Sequence, residues 1–451
     1  MKLRVCAAFL LSSLLIPPPA FGHSRRSPTA SGNPDLRTGI HTLDVAPAWS
    51  GQPVGFALLT RGNQQFVAFY DAERRMTLAQ RTLGEHRWSF TVLPSTLGWD
   101  SHNYITMAMD REGYLHVAGN MHASPLVYFR SARPYDASSM ERVSALTGKN
   151  EERVTYPVFN YAPDGTLLFQ YRSGSSGSGD TYRDRYDERT RSWHPLTEQP
   201  LFFGGARMNA YPLDVVRGPD GWYHQFWVWR DKPLAETNHD LSYARSRDLV
   251  HWETAAGTPL TLPLTIATPG LIVDPVPSRG GLLNGTQAVG FDAFGGLVLS
   301  YLKYDSAGKT QLYFAQWEHG RWINQQATNW NYRWDFHGMG SLVNEIHIGP
   351  LRAVGGKLTI AINHKVYGSG VWEVDPVTMR LRGKLSMAGE EGEDSSASEN
   401  GLMERSAADL GGSRTDGVTY RLSWKTLRQN RDRPQPEGPP PPSMLHLVLS
   451  Q

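Results

Sequence analysis

The sequence predicts an all-β chain folded as a seven-bladed β-propeller of four-stranded antiparallel blades. Three observations carry this expectation. A unit of strand, glycine turn and second strand recurs seven times, and several units end on a tryptophan. The composition, with 44 Gly, 30 Pro, 14 Trp and 19 Tyr, goes with few long helical periodicities.

Residues 1–22 read as an export signal. Lys2 and Arg4 give the basic start, Val5 to Ile16 the apolar run, and Ala20-Phe21-Gly22 a small-residue cleavage site. That run is too short to span a bilayer, so a secreted or periplasmic protein without membrane insertion is expected. The only cysteine, Cys6, lies in the signal, so stability must come from a large core and not from disulfides. Loss of Lys2 and Arg4 leaves basic and acidic residues equal in number. A chain without net charge has no global field for nucleic acid, and an anionic partner must be held by local arginines. Residues 23–34 are polar and expected to be flexible, and 35–451 form one propeller, expected to be a monomer.

The repeated turns centre on Gly62, Gly113, Gly165, Gly221, Gly295, Gly356 and Gly417, each flanked by aromatic and β-branched residues. Trp88, Trp193, Trp252 and Trp322 close units after a third strand. Met444–Ser450 reads as a strand that closes the ring with an early one. Two late segments read as solvated loops: an acidic, serine-rich insertion at 390–412 and a proline-rich connection at 429–442.

In an antiparallel hairpin, the start of the first strand and the end of the second share one end. His102 and His122 occupy such positions in the second unit, Tyr156 and Arg172 in the third, Tyr211 and Arg230 in the fourth. Each alone is more readily a capping or stacking residue. Three consecutive hairpins presenting ionisable or hydroxyl groups at one end point to a site. The set suits elimination beside a uronic acid. An arginine neutralises the carboxylate, a histidine or tyrosine takes the C5 proton, and a tyrosine hydroxyl protonates the leaving oxygen. The paired carboxylates of a hydrolase are not evident in this cluster, nor is a Cys/His metal motif.

The motifs H-N-Y at His102, G-N-x-H at His122, T-Y-P-x-F at Tyr156, Q-Y-R-x-G-x-S-G at Arg172 and N-A-Y-P at Tyr211 resemble the BNR-repeat propellers that include ulvan lyases. So does W-x-W-R at Arg230, followed by T-N-H-D-L (Thr237 to Leu241). The resemblance implies β-elimination on an anionic, uronate-containing polysaccharide. His102 and Tyr156 would be the proton-transfer pair, with His102 preferred as base, and Arg172 would neutralise the carboxylate. His122, Tyr211 and Arg230, with Asn103 and His239 from the same motifs, would bind sugar. No cofactor is required by the chemistry. The resemblance also implies a structural calcium or zinc ion, for which the sequence shows no ligand motif. The alternatives are an α-L-rhamnosidase-type hydrolase and a non-catalytic carbohydrate-binding propeller.

Overall fold

A computed structural model describes residues 40–385, 401–412 and 417–450. The expected signal, the segment 23–34 and residues 390–400 of the acidic insertion lie outside the described residues. Those described form antiparallel sheets, with two single-turn 3-10 helices. No helix among them is long and apolar enough to cross a membrane.

The chain builds six blades, not the seven expected. Six blades form in chain order, over 57–96, 105–143, 122–195, 209–274, 288–326 and 346–384. The remaining sheet is assembled from both ends: Ile40–Ala48 pairs with Ser443–Ser450, followed by Thr419–Thr426 and Met403–Ala408. Four-stranded blades are borne out, with strands added to three of them: the third and sixth have five and the fourth seven. The reason lies in what a glycine turn counts. It marks a hairpin, which is two strands, and the hairpin around Gly417 acquires its other two from distant chain. The long stretch after Gly221 likewise adds the short strands Pro259–Leu260 and Ile272–Asp274 to the fourth blade. Part of the expected acidic loop is itself the strand Met403–Ala408.

Strands such as Gln64–Tyr70 are buried almost throughout because each sheet is covered on both faces by its neighbours. Between the closing sheet and the first blade, Phe56 stacks on Trp424 at 4.6 Å over Phe69, Leu422 and Leu447. Between the fourth and fifth, Phe226, Tyr243 and Tyr301 pack with Trp322. Burial of each such ring contributes about 1.5–3 kcal/mol. The tryptophans that punctuate the sequence are therefore inter-blade packing.

One buried acid weakens this core at high pH. Burial, then the charge of Glu151, pushes the Asp184 carboxyl up to about 7, against a lowering hydrogen bond with Tyr171. Its Oδ2 has no partner among the described residues. A folded-state value above the unfolded one means the contribution is full below about pH 4 and lost as pH rises through about 7. Asp184→Asn should therefore melt higher relative to wild type at about pH 8 than at about pH 5, with an upper bound of about 4 kcal/mol, measured by thermal unfolding at both values.

Candidate active site

The site lies where the second, third and fourth blades meet. His102 sits in the turn that precedes strand Ile105–Met109. Its backbone N–H donates to Asp100 Oδ1 at 2.8 Å, and its Nδ1 lies 2.7 Å from the same oxygen. His122 begins the three-residue strand His122–Ser124, which leaves the second blade to pair with the third. Its Nδ1 bonds to Asp100 Oδ2. One carboxylate thus holds both imidazoles, which stack at 4.2 Å. Burial alone would raise the Asp100 carboxyl. The two histidine hydrogen bonds outweigh it and hold the group well below the usual carboxylate range.

Tyr156 is placed by a defect in its strand. The register between Val154–Tyr161 and Leu167–Ser175 slips between Thr155 and Val158. Tyr156 takes a left-handed backbone at φ 56°, and Pro157 supplies no N–H to the ladder. Such a bulge re-aims a side chain at a local strain cost of about 1–3 kcal/mol. Here the ring comes to 5.7 Å from that of His102 and 6.0 Å from that of Tyr211.

Two buried arginines lie against the tyrosines. Arg172, 3% exposed, stands with its guanidinium 5.0 Å from the Tyr156 ring, and its Nη2 donates to Thr155 Oγ1 at 3.0 Å. Its Nε has no acceptor among the described residues. The glycines of Q-Y-R-S-G-S-S-G-S-G make room for it: a Cβ on Gly179 would sit 2.8 Å from Arg172 Cδ. Arg230 donates from Nε to Asn238 Oδ1 at 3.1 Å, from Nη1 to the Tyr211 hydroxyl at 3.1 Å, and from Nη2 to Asn284. Ser176 Oγ lies 2.5 Å from the Tyr211 hydroxyl.

The two phenols consequently diverge. Burial, with the adjacent Tyr211, pushes Tyr156 well above its ordinary value despite the arginines. Burial also opposes ionisation of Tyr211, but Arg230 and then Arg172 more than offset it and bring that hydroxyl below its ordinary value. At neutral pH Tyr156 is held as a proton donor.

His102, His122, Tyr156, Tyr211 and Arg230 line one open cavity of about 340 Å³, together with Ser176, Asn284, the loop 338–342, Asn344 and Asp432. Arg172 lines an adjoining cavity of about 220 Å³, which shares Tyr156, Tyr211 and Asn284 with the first. Two expected residues fall outside both. Asn103 is buried; its backbone carbonyl accepts from the Tyr70 hydroxyl at 2.7 Å, and its side-chain Oδ1 has no partner among the described residues. His239 is held between Asp231 at 3.2 Å and Asp240 at 2.8 Å.

The sequence reading missed four contributors. Asp100 had a local signal, an acid two residues before a histidine. Ser176 lay unmarked in a glycine-serine tract, and Asn284 and Asp432 arrive from distant chain without one. Asp100, His102 and His122 also bring three possible metal donors within 4.8 Å of one another. Calcium takes six to eight oxygens and a structural zinc four ligands, whereas here two of three donors are nitrogens hydrogen-bonded to the third. Among the described residues these three donors alone fall short of either ligand number.

Residues 64–330 match the model of a family described as BNR repeat-containing family member. A stretch of 69 residues is 36% identical to the long isoform of ulvan lyase from Glaciecola sp. (strain KUL10). It spans 15% of this chain and 7% of that protein. Among solved structures, polysaccharide lyase Uly1 superposes with a TM-score of 0.61 at 14% identity, covering 91% of this chain and 99% of that one. A PL25 ulvan lyase superposes at 0.58 and 13% identity, covering 85% and 92%. That enzyme is also known bound to -[GlcA(1-4)Rha3S]-, in a structure that superposes at 0.57. These structural likenesses establish a shared propeller fold. With the family model matched over more than half its length, the chain belongs to the BNR repeat-containing family.

Proposed function

We propose that the protein is an exported polysaccharide lyase that cleaves a uronate-containing, ulvan-like glycan by β-elimination. The observation that carries this reading is the pairing of a carboxylate-held histidine with a protonated tyrosine in one cavity beside two buried guanidinium groups. In this reading Arg230, which opens onto the cavity, and Arg172, which keeps one unmet donor, neutralise the uronate carboxylate. That charge makes the C5 proton acidic. Asp100 occupies His102 Nδ1, so the other ring nitrogen, Nε2, takes the C5 proton. The electron pair left on C5 forms the C4–C5 double bond as the C4–O4 bond breaks, and the Tyr156 hydroxyl gives its proton to O4. His122, Tyr211 and Ser176 hold sugar hydroxyls.

A hydrolase on this scaffold is disfavoured by the carboxylates. Among the described residues, Asp432 is the one acid that lines the main cavity, and it is already bound to two serines. Hydrolysis by the usual route needs two acids across the scissile bond. Mass spectrometry of products from a glucuronate-rich polymer separates the two. Elimination yields uronate-ended fragments one water lighter than hydrolysis does. Fragments carrying the full water of hydrolysis would overturn the proposal, and an uncleaved but bound polymer would leave a binding propeller.

A further inference from the structure

The proline-rich connection 429–442, which the sequence marks only as a solvated loop, enters the site. Asp432 Oδ1 accepts from Ser101 N at 3.3 Å, Ser101 Oγ at 3.1 Å and Ser341 Oγ at 2.5 Å, and Oδ2 accepts from Ser341 N at 2.9 Å. Ser101 precedes His102 in its turn, and Ser341 belongs to the loop that forms the opposite rim of the cavity. One carboxylate near the C-terminus therefore ties together two walls that are far apart in sequence. It also lies 3.7 Å from His102 Nδ1, on the nitrogen that Asp100 already engages.

The neighbouring residue repeats the pattern. Arg431 Nη1 donates to His337 O at 2.8 Å and to Met339 O at 3.1 Å, carbonyls of the same rim. The rim is shaped to admit this chain: a Cβ on Gly340 would lie 2.8 Å from Arg431 O, and one on Gly338 3.0 Å from Arg431 Nη1. Arg431 and Asp432 both hold left-handed backbone, at φ 54° and 60°, without being glycine. Consecutive strained residues persist only where their surroundings over-determine them, and they concentrate at functional sites.

We infer that Asp432 is a positioning residue for the proton-transfer histidine. It fixes the Ser101–His102 turn against the Ser341 rim and, with Asp100, directs the Nδ1 side of His102 away from the cavity, leaving Nε2 to face the substrate. The inference rests on the elimination reading for its kinetic consequence and on geometry alone for its structural one.

Two measurements on the full chain test it and keep it distinct from that reading. The first is steady-state kinetics of Asp432→Asn, which keeps the shape and tolerates left-handed backbone but turns one acceptor into a donor. kcat should fall about 10- to 100-fold with KM near wild type, the signature of a misplaced reacting group. Ser341→Ala, which leaves the carboxylate in place, should lose less. The second is the ring-nitrogen NMR signal of His102, which needs no turnover. It should move in Asp432→Asn, while that of His122 moves less. A kcat within about twofold of wild type, or an unmoved His102 signal in the folded variant, would overturn the assignment. A rise in KM alone would overturn it as well, leaving Asp432 as a fastening of the rim.

Discussion

His102→Ala should lower kcat for uronate elimination by about 10²–10⁴-fold, the usual contribution of a positioned general base. The variant should still fold and bind glycan, because His102 sits in a turn outside the apolar clusters and His122 keeps its own bond to Asp100. His122→Ala should cost less: His122 stacks on His102 at 4.2 Å, and it is the His102 ring that meets Tyr156, edge-on at 5.7 Å. A comparison of kcat and KM for wild type, His102→Ala and His122→Ala checks this. Equal losses in both histidine variants would mean that the pair acts as a unit.

Tyr156→Phe should cost a comparable 10²–10⁴-fold in kcat, here by removing the proton for the departing oxygen. The substitution keeps the ring, and therefore the contacts with Arg172 and with the rings of His102 and Tyr211. Stability should change little. Tyr211→Phe makes an informative companion. Its hydroxyl takes hydrogen bonds from both arginines, so its loss leaves two buried guanidinium groups short of an acceptor. That variant should lose stability as well as activity, whereas Tyr156→Phe should lose activity alone. Thermal unfolding beside initial rates separates the two.

The sequence exposed the propeller because its signals are local. A glycine turn flanked by aromatic strands is a hairpin wherever it occurs, and the tryptophans that end units pack between blades. What each hairpin joins is a matter of distant chain. The sheet around Thr419–Thr426 receives Ile40–Ala48 and Ser443–Ser450 from the two ends, so counting turns overstated the number of equivalent blades. The same boundary divides the site. His102, His122, Tyr156, Tyr211 and Arg230 converge as hairpin topology requires, because strand ends on successive blades share one rim. Arg172 stands just behind Tyr156 and Tyr211, at a depth that strand position does not encode. Asn103 and His239 share motifs with lining residues, yet Asn103 is buried outside the cavities and His239 is taken up in ion pairs with Asp231 and Asp240. Asn284 and Asp432 come from connections that no periodicity marks, which is why a segment dismissed as a solvated loop supplies an acid to the cavity.

Elimination differs from hydrolysis in one product feature, a C4–C5 double bond conjugated with the uronate carboxylate. The most direct test is therefore the ultraviolet absorbance of a glucuronate-rich polymer, such as ulvan, during incubation with the wild-type protein and with His102→Ala. The account predicts a steady rise for the wild type and a flat trace for the variant at equal folded concentration. Chain shortening without any rise in absorbance, or a rise that His102→Ala leaves intact, would contradict it.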